Sequence, residues 1–192
     1  MHFRRLSLGA LIIVSAASAA TPRIEDPARI LAASVVWTAR ETDKLTAFEQ
    51  KTGIRILVQY HPQSPPDAED RVDGQYMTTL STRLGTVDHG ILMVYFADDG
   101  SWRVWIGNLL TPSFVGKPGD ARQFTASGEM HQAKEAYLDR AKARADAAYG
   151  QRHSPAKVSD TERRTPEYLA LWSDALIDGL TTIFADQRRR RE

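Results

Sequence analysis

The chain contains no cysteine. That excludes disulfides, thiolate metal sites, a cysteine nucleophile and a lipidated-cysteine anchor. A strong net charge is missing too, since 25 Lys+Arg stand against 24 Asp+Glu, giving a formal charge of +1. Residues 1–20 hold two arginines and no acids, so without them Lys+Arg falls to 23 against the same 24 acids, a charge of about −1. So balanced a chain offers no electrostatic footprint for nucleic acid, whose backbone demands a basic patch. The sequence also lacks internal repeats, low-complexity tracts, a nucleophile elbow, a zincin helix and a phosphate-binding glycine loop.

What is present begins with a leader. "MHFRRLSLGALIIVSAASAA" has a basic start at Arg4 and Arg5, an apolar middle from Leu6 to Val14 and small residues through Ala20. That order of parts is a secretory signal peptide, with cleavage expected near Ala19 or Ala20 and a periplasmic or otherwise exported product. An uncleaved anchor is the alternative, but the apolar run falls short of the roughly 20 residues that span a bilayer. At the other end, Arg188 to Arg191 form a basic tail, residues 188–192. It reads as a solvated helix end favoured by the dipole, or as a contact with an anionic membrane surface.

Between these ends, about 170 residues suffice for one ordinary domain. Residues 27–52 read as a helix closed by Gly53, followed by a strand at Ile54–His61, rich in branched and aromatic residues. A second helix is expected over Glu69–Leu84, where Val72, Tyr76, Leu80 and Leu84 recur every four residues along one face. "GILMVYFA" is a continuous apolar strand, as expected where both faces are covered. "DDGS" turns the chain into "WRVWIG", an antiparallel partner with Trp102, Val104 and Ile106 on one face and Arg103 and Trp105 on the other. Strand–helix–strand spacing of this kind implies a parallel pair. Residues 107–121 read as loop, 128–148 as an alanine-rich helix and 150–164 as a polar linker. The last helix starts at Thr165-Pro166, a cap followed by proline at the first helical position. The expected fold class is α/β, a three-layer α/β/α sandwich with a small mixed sheet flanked by helices.

The chemistry on offer is sparse. Asp98 and Asp99 lie at the carboxyl end of a strand, where open α/β sheets usually bind ligands. Joined by Asp26 or Asp120, they would present hard oxygens suited to Ca²⁺ or Mg²⁺. The other reading is that Asp-Asp-Gly is good turn chemistry. Asp88 sits at the opposite end of the same strand, ~20 Å or more away, and should not share that site. His89 reads either as a ligand or proton carrier, or as a loop histidine at a strand start. His131, Glu135 and Asp139 fall on one helix face and read as a solvated stripe. Ser154–Lys157 has a serine–lysine spacing without the companion motifs that would give it meaning.

"IEDPARIL", "LTAFEQKTGIRILVQYHP", "TRLGTVDHGILMVYFADDGSWRVWIG" and the late "PEYLALWSDALIDGLTTIF" together resemble the TPM domain, well over residues 24–110 and loosely in the final helix. That family comprises exported or membrane-tethered bacterial proteins and thylakoid-lumen relatives linked to photosystem repair. The resemblance implies an α/β/α sandwich, divalent-cation binding in some members, acid phosphatase activity in a plant relative, and roles in the upkeep of membrane complexes. By position, Asp26 matches the acid of the family's first motif, Asp88 and Gly90 its polar-polar-glycine step, and Gly107 the glycine after the return strand. The chain departs from the pattern at His89, where asparagine is usual. It departs again after Gly107, where the family commonly shows a glycine-rich turn and an acidic residue; here "NLLTPSFVGKPGD" intervenes, followed by an inserted helix and linker at about 120–165. The function expected from sequence is therefore an exported, non-enzymatic module of residues 21–187 that assists an envelope protein complex, with Ca²⁺ or Mg²⁺ as candidate ion and no organic cofactor. Its partners would be envelope or membrane proteins. A metal-dependent acid phosphatase is the alternative, although no clustered site for it is legible.

Overall fold

In the computed structural model, residues 22–72, 74–154 and 157–185 are described; the expected leader and the basic tail lie outside them. The chain opens with a two-residue strand, β1 (Ile24–Glu25), absent from the sequence reading, followed by helix α1 (Val35–Thr52). The helix starts eight residues later than its periodicity suggests. The reason is Asp26, whose carboxylate accepts the backbone N–H groups of Ile30 (2.7 Å) and Leu31 (2.9 Å). That local ring of bonds competes with helix, as aspartate does near chain turns. Helix α1 then begins properly, with Ser34 capping the Trp37 N–H and Gly53 closing it in the left-handed region.

Strand β2 (Arg55–His61) leads through a proline-rich loop to helix α2 (Gln75–Arg83). This helix is also shorter than expected. The Asp70 carboxylate, in the preceding loop, takes the Tyr76 N–H (3.1 Å) within the helix's first turn. Val72 stays outside the helix and is 68% exposed instead of lying on its buried face. Strands β3 (Gly90–Phe96) and β4 (Ser101–Ile106) follow as the expected hairpin.

Residues 107–121, expected as loop, instead form a 3₁₀ turn (Asn108–Leu110), α3 (Thr111–Val115) and the start of α4 (Ala121–Ala126). Prolines and glycines end these pieces without preventing them. Helix α5 runs from Glu129 to His153, α6 is a single turn (Asp160–Arg163) and α7 spans Pro166–Ala185. Ser159 and Glu162 form a reciprocal capping box that puts helix inside the expected linker.

The sheet order is β1-β2-β3-β4, with the first three strands parallel and β4 antiparallel. One face carries Ile56, Val58, Tyr60, Met93, Tyr95 and Val104, buried beneath α1 and α7. The other carries Leu57, Leu92, Val94 and Phe96, covered by Met77 and Leu80 of α2. These layers are a three-layer α/β sandwich, with α5 packed along α7. The Tyr137 hydroxyl donates to the Leu176 carbonyl (2.5 Å) across that seam. Among the described residues, no helix is long and apolar enough to cross a membrane.

Candidate functional site

The matched positions at the amino end of β3 form a backbone splice. A Cβ at Gly107 would lie 2.4 Å from the Asp88 carbonyl oxygen, and one at Gly90 would lie 2.7 Å from Thr86 Cβ. Both distances fall below any real Cβ contact, so only glycine lets these segments touch. The closeness is used by three backbone bonds, from Gly107 to Gly90, Asn108 to Val87 and Leu109 to Asp88. The Asp88 carboxylate accepts from the Asn108 amide (3.0 Å), while His89 points into solvent-exposed surface. Asp88 and Gly90 are therefore accounted for by this splice.

The four candidate metal ligands are not gathered together. Asp26 is occupied by its own turn. Asp120 caps α4, accepting the Gln123 N–H (2.9 Å). Asp98 and Asp99 are neighbours at the hairpin, where they pin the loop after β2. Ser64 donates its N–H (2.8 Å) and hydroxyl (2.9 Å) to Asp98, and its hydroxyl also lies 3.0 Å from Asp99. The bond from the Ser64 N–H holds the Asp98 carboxyl below its ordinary range. Among the described residues, no group of three or more His, Asp or Glu side chains is arranged to hold a metal ion.

The structure assembles a different constellation at the carboxyl end of the sheet, on the face under α2. Parallel pairing places Glu25 directly beside Gln59. Gln59 is only 6% exposed and donates its amide N–H to the Glu25 carboxylate (2.7 Å). With its nitrogen so committed, its carbonyl oxygen faces His61 Nε2 at 3.2 Å. That oxygen can only accept, so the network assigns the proton of neutral His61 to Nε2. Nδ1 is then an acceptor, and the Tyr76 hydroxyl faces it at 3.4 Å. Burial holds the His61 imidazole below its ordinary value, with the Glu25 charge opposing and the Arg83 charge reinforcing the shift. Burial likewise pushes the Tyr76 hydroxyl up.

Around this relay, Phe96 packs against both His61 (5.6 Å between ring centres) and Tyr76 (5.9 Å). The Arg103 guanidinium stacks on Phe96 at 4.9 Å and pairs with Asp70 at 2.5 Å. Beside it opens a surface cavity of about 330 Å³ lined by Glu69, Gln75, Tyr76, Thr79, Leu80 and Arg83. A neutral imidazole between a phenol and a tethered amide can accept or pass a proton, or hold a polar ligand in one orientation. The sequence does carry a signal for it. In "IRILVQYH", Gln59 and His61 alternate onto one face of a mostly apolar strand, and a buried amide such as Gln59 requires partners.

Trp105, on the same face of β4 as Arg103, is half-buried. Its indole N–H donates to the Val87 carbonyl (3.2 Å), and Lys134 lies 5.7 Å above the ring.

No family model and no curated protein matches the chain. Among solved structures, it is similar to the solution NMR structure of the N-terminal domain of a P. gingivalis protein, a structural-genomics target. The likeness covers 88% of this chain and 87% of that one, at 16% identity and a TM-score of 0.52. At that identity the kinship is one of fold: the chain is built as an α/β sandwich on the plan of that domain.

Proposed function

We propose that this chain is an exported, TPM-type binding module that recognises a segment of an envelope partner at the carboxyl end of its sheet, without turnover. The observation that carries this reading is the Glu25–Gln59–His61–Tyr76 relay beside the 330 Å³ cavity. Ligands of open α/β sheets bind outside the carboxyl ends of the strands. The cavity's mixture of apolar, amide and charged groups suits a peptide segment, with Leu80 and Tyr76 as apolar wall and Arg83 and Glu69 as opposite charges at the rim. Export is supported by the order of parts in the first twenty residues, and the TPM kinship by the motifs over residues 24–110.

The test is site-specific photo-crosslinking within the host's envelope fraction. A photoreactive residue at Thr79, on the cavity wall, should give a discrete adduct that the same residue at Thr125 on α4 does not. The adduct should disappear with His61→Ala. Identical products from both positions would contradict the reading, and turnover of p-nitrophenyl phosphate by the purified chain would replace it with the phosphatase.

A further inference from the structure

The outer surface of the helical layer carries a second feature, independent of the His61 site and on the opposite side of the sheet. The carboxyl-terminal half of α7 is flanked by two surface cavities. One, of about 430 Å³, lies between α7 and α1 and is edged by Lys44 and Lys51 above Phe48. The other, of about 210 Å³, lies between α7 and α5 and is edged by Arg140 and Arg144 above Ala175 and Ile183. Thr182 lines both, so the two are halves of one surface that wraps the outward side of α7.

The charges on this surface are uneven. Lys44 is neutralised by Asp178 and Glu41. Among the described residues, no carboxylate stands in an ion pair with Lys51, Arg140 or Arg144. Arg140 and Arg144 stand one helical turn apart on α5, a spacing that puts both guanidinium forks over the same groove. Their stems lie along an apolar floor, the arrangement in which long basic side chains extend their heads toward a polar boundary. Helix α7 ends at Ala185 beside these cavities, and the sequence runs on within three residues to Arg188–Arg191. Cations on the two helices that flank α7, apolar floors beneath them and a polybasic continuation of the sequence match a wide, negatively charged boundary better than one pocketed ion.

We infer that this α1–α7–α5 face docks on an anionic membrane surface, with Arg140 and Arg144 engaging lipid phosphates. Docked so, the chain would hold the His61 face away from the bilayer.

The experiment is co-sedimentation of the full chain with vesicles of phosphatidylcholine alone and with about one-third phosphatidylglycerol. The apolar run at residues 6–14 would act on both compositions, so the readout is the preference for the anionic one. At ~1 kcal/mol for each basic residue near such a surface, each lost cation should reduce that preference about fivefold. The inference predicts a clear preference that declines with salt, falls more than tenfold with Arg140→Gln/Arg144→Gln, and falls about fivefold with Lys51→Gln. An unchanged unfolding midpoint for these exposed substitutions separates the effect from misfolding. No preference in the unsubstituted chain would overturn the inference. So would a preference that vanishes when Arg188–Arg191 are replaced by glutamine yet ignores Arg140 and Arg144. Poly-glutamate binding more tightly than the vesicles would overturn it in favour of an acidic protein partner.

Discussion

The two faces of the sheet differ in what covers them. On one, α1 and α7 bring 18 and 20 residues of helix against a run of fully buried side chains. Even the polar groups there are structural: the Trp37 indole and the Arg40 guanidinium both reach Asp174, clamping α1 to α7. On the other face, a nine-residue helix covers the middle of the sheet, and its carboxyl end is left to Gln59, His61 and Arg103. The lesson is a division of labour. The thick face supplies the apolar burial that holds a disulfide-free chain together, and the thin face holds polar groups at a solvent-accessible edge.

That contrast is sharpened most by truncating each core. Leu176→Ala, beneath α7, should cost about 3–5 kcal/mol, because a fully buried site between helix and sheet collapses poorly. Leu80→Ala on α2 should cost about 2–3 kcal/mol, since a short peripheral helix can settle into the space. Denaturant unfolding measures both, and at about 2–4 °C per kcal/mol the thermal midpoints should separate as well. Equal losses would break the contrast. Gly107→Ala comes next, at about 1–3 kcal/mol, because its Cβ must displace the Asp88 carbonyl.

A smaller effect reads the thin face through pH. Burial keeps folded His61 below its ordinary value of 6.5, so beneath that value the unfolded chain binds more protons than the folded one. The associated stability is fully present above pH 6.5 and is lost as pH falls through the lower folded value. His61→Gln should therefore flatten the decline in unfolding midpoint just below pH 6.5, leaving the steeper carboxylate-driven loss at lower pH untouched. Smallest of all should be the response to cations. The Asp26, Asp98 and Asp99 oxygens already accept backbone and hydroxyl donors. An ion at a hundred times its dissociation constant would stabilise by ~2.7 kcal/mol. Millimolar Ca²⁺ or Mg²⁺ added after EDTA should shift the midpoint by far less.

The sequence made one face more legible than the other, for physical reasons. β2, β3 and β4 announce themselves as apolar runs between breakers, and the alternation of Trp102, Val104 and Ile106 is the alternation found buried. α7 was readable from its cap and its buried stripe. β1 was not, because two residues carry no period, and its existence depends on pairing with a strand more than thirty residues away. The start of α1 is displaced because Asp26 captures the Ile30 and Leu31 N–H groups that periodicity alone assigns to helix. At α2, by contrast, the Asp70 carboxylate reaches from the preceding loop to the Tyr76 N–H in the first turn. The relay stayed hidden because its members come from β1, β2 and α2, and only the Glu25–Gln59 register brings them together. The hairpin acids stand out in the sequence, and in the fold their oxygens accept from Ser64.

The most direct test of the chemical face is an NMR titration of His61 with nitrogen-15 in the ring. The account predicts a neutral imidazole protonated on Nε2, titrating below 6.5, with its Nδ1 shift moving slightly in Tyr76→Phe. An imidazole titrating at or above 6.5, or one carrying its neutral-state proton on Nδ1, would contradict the relay and the reading built on it.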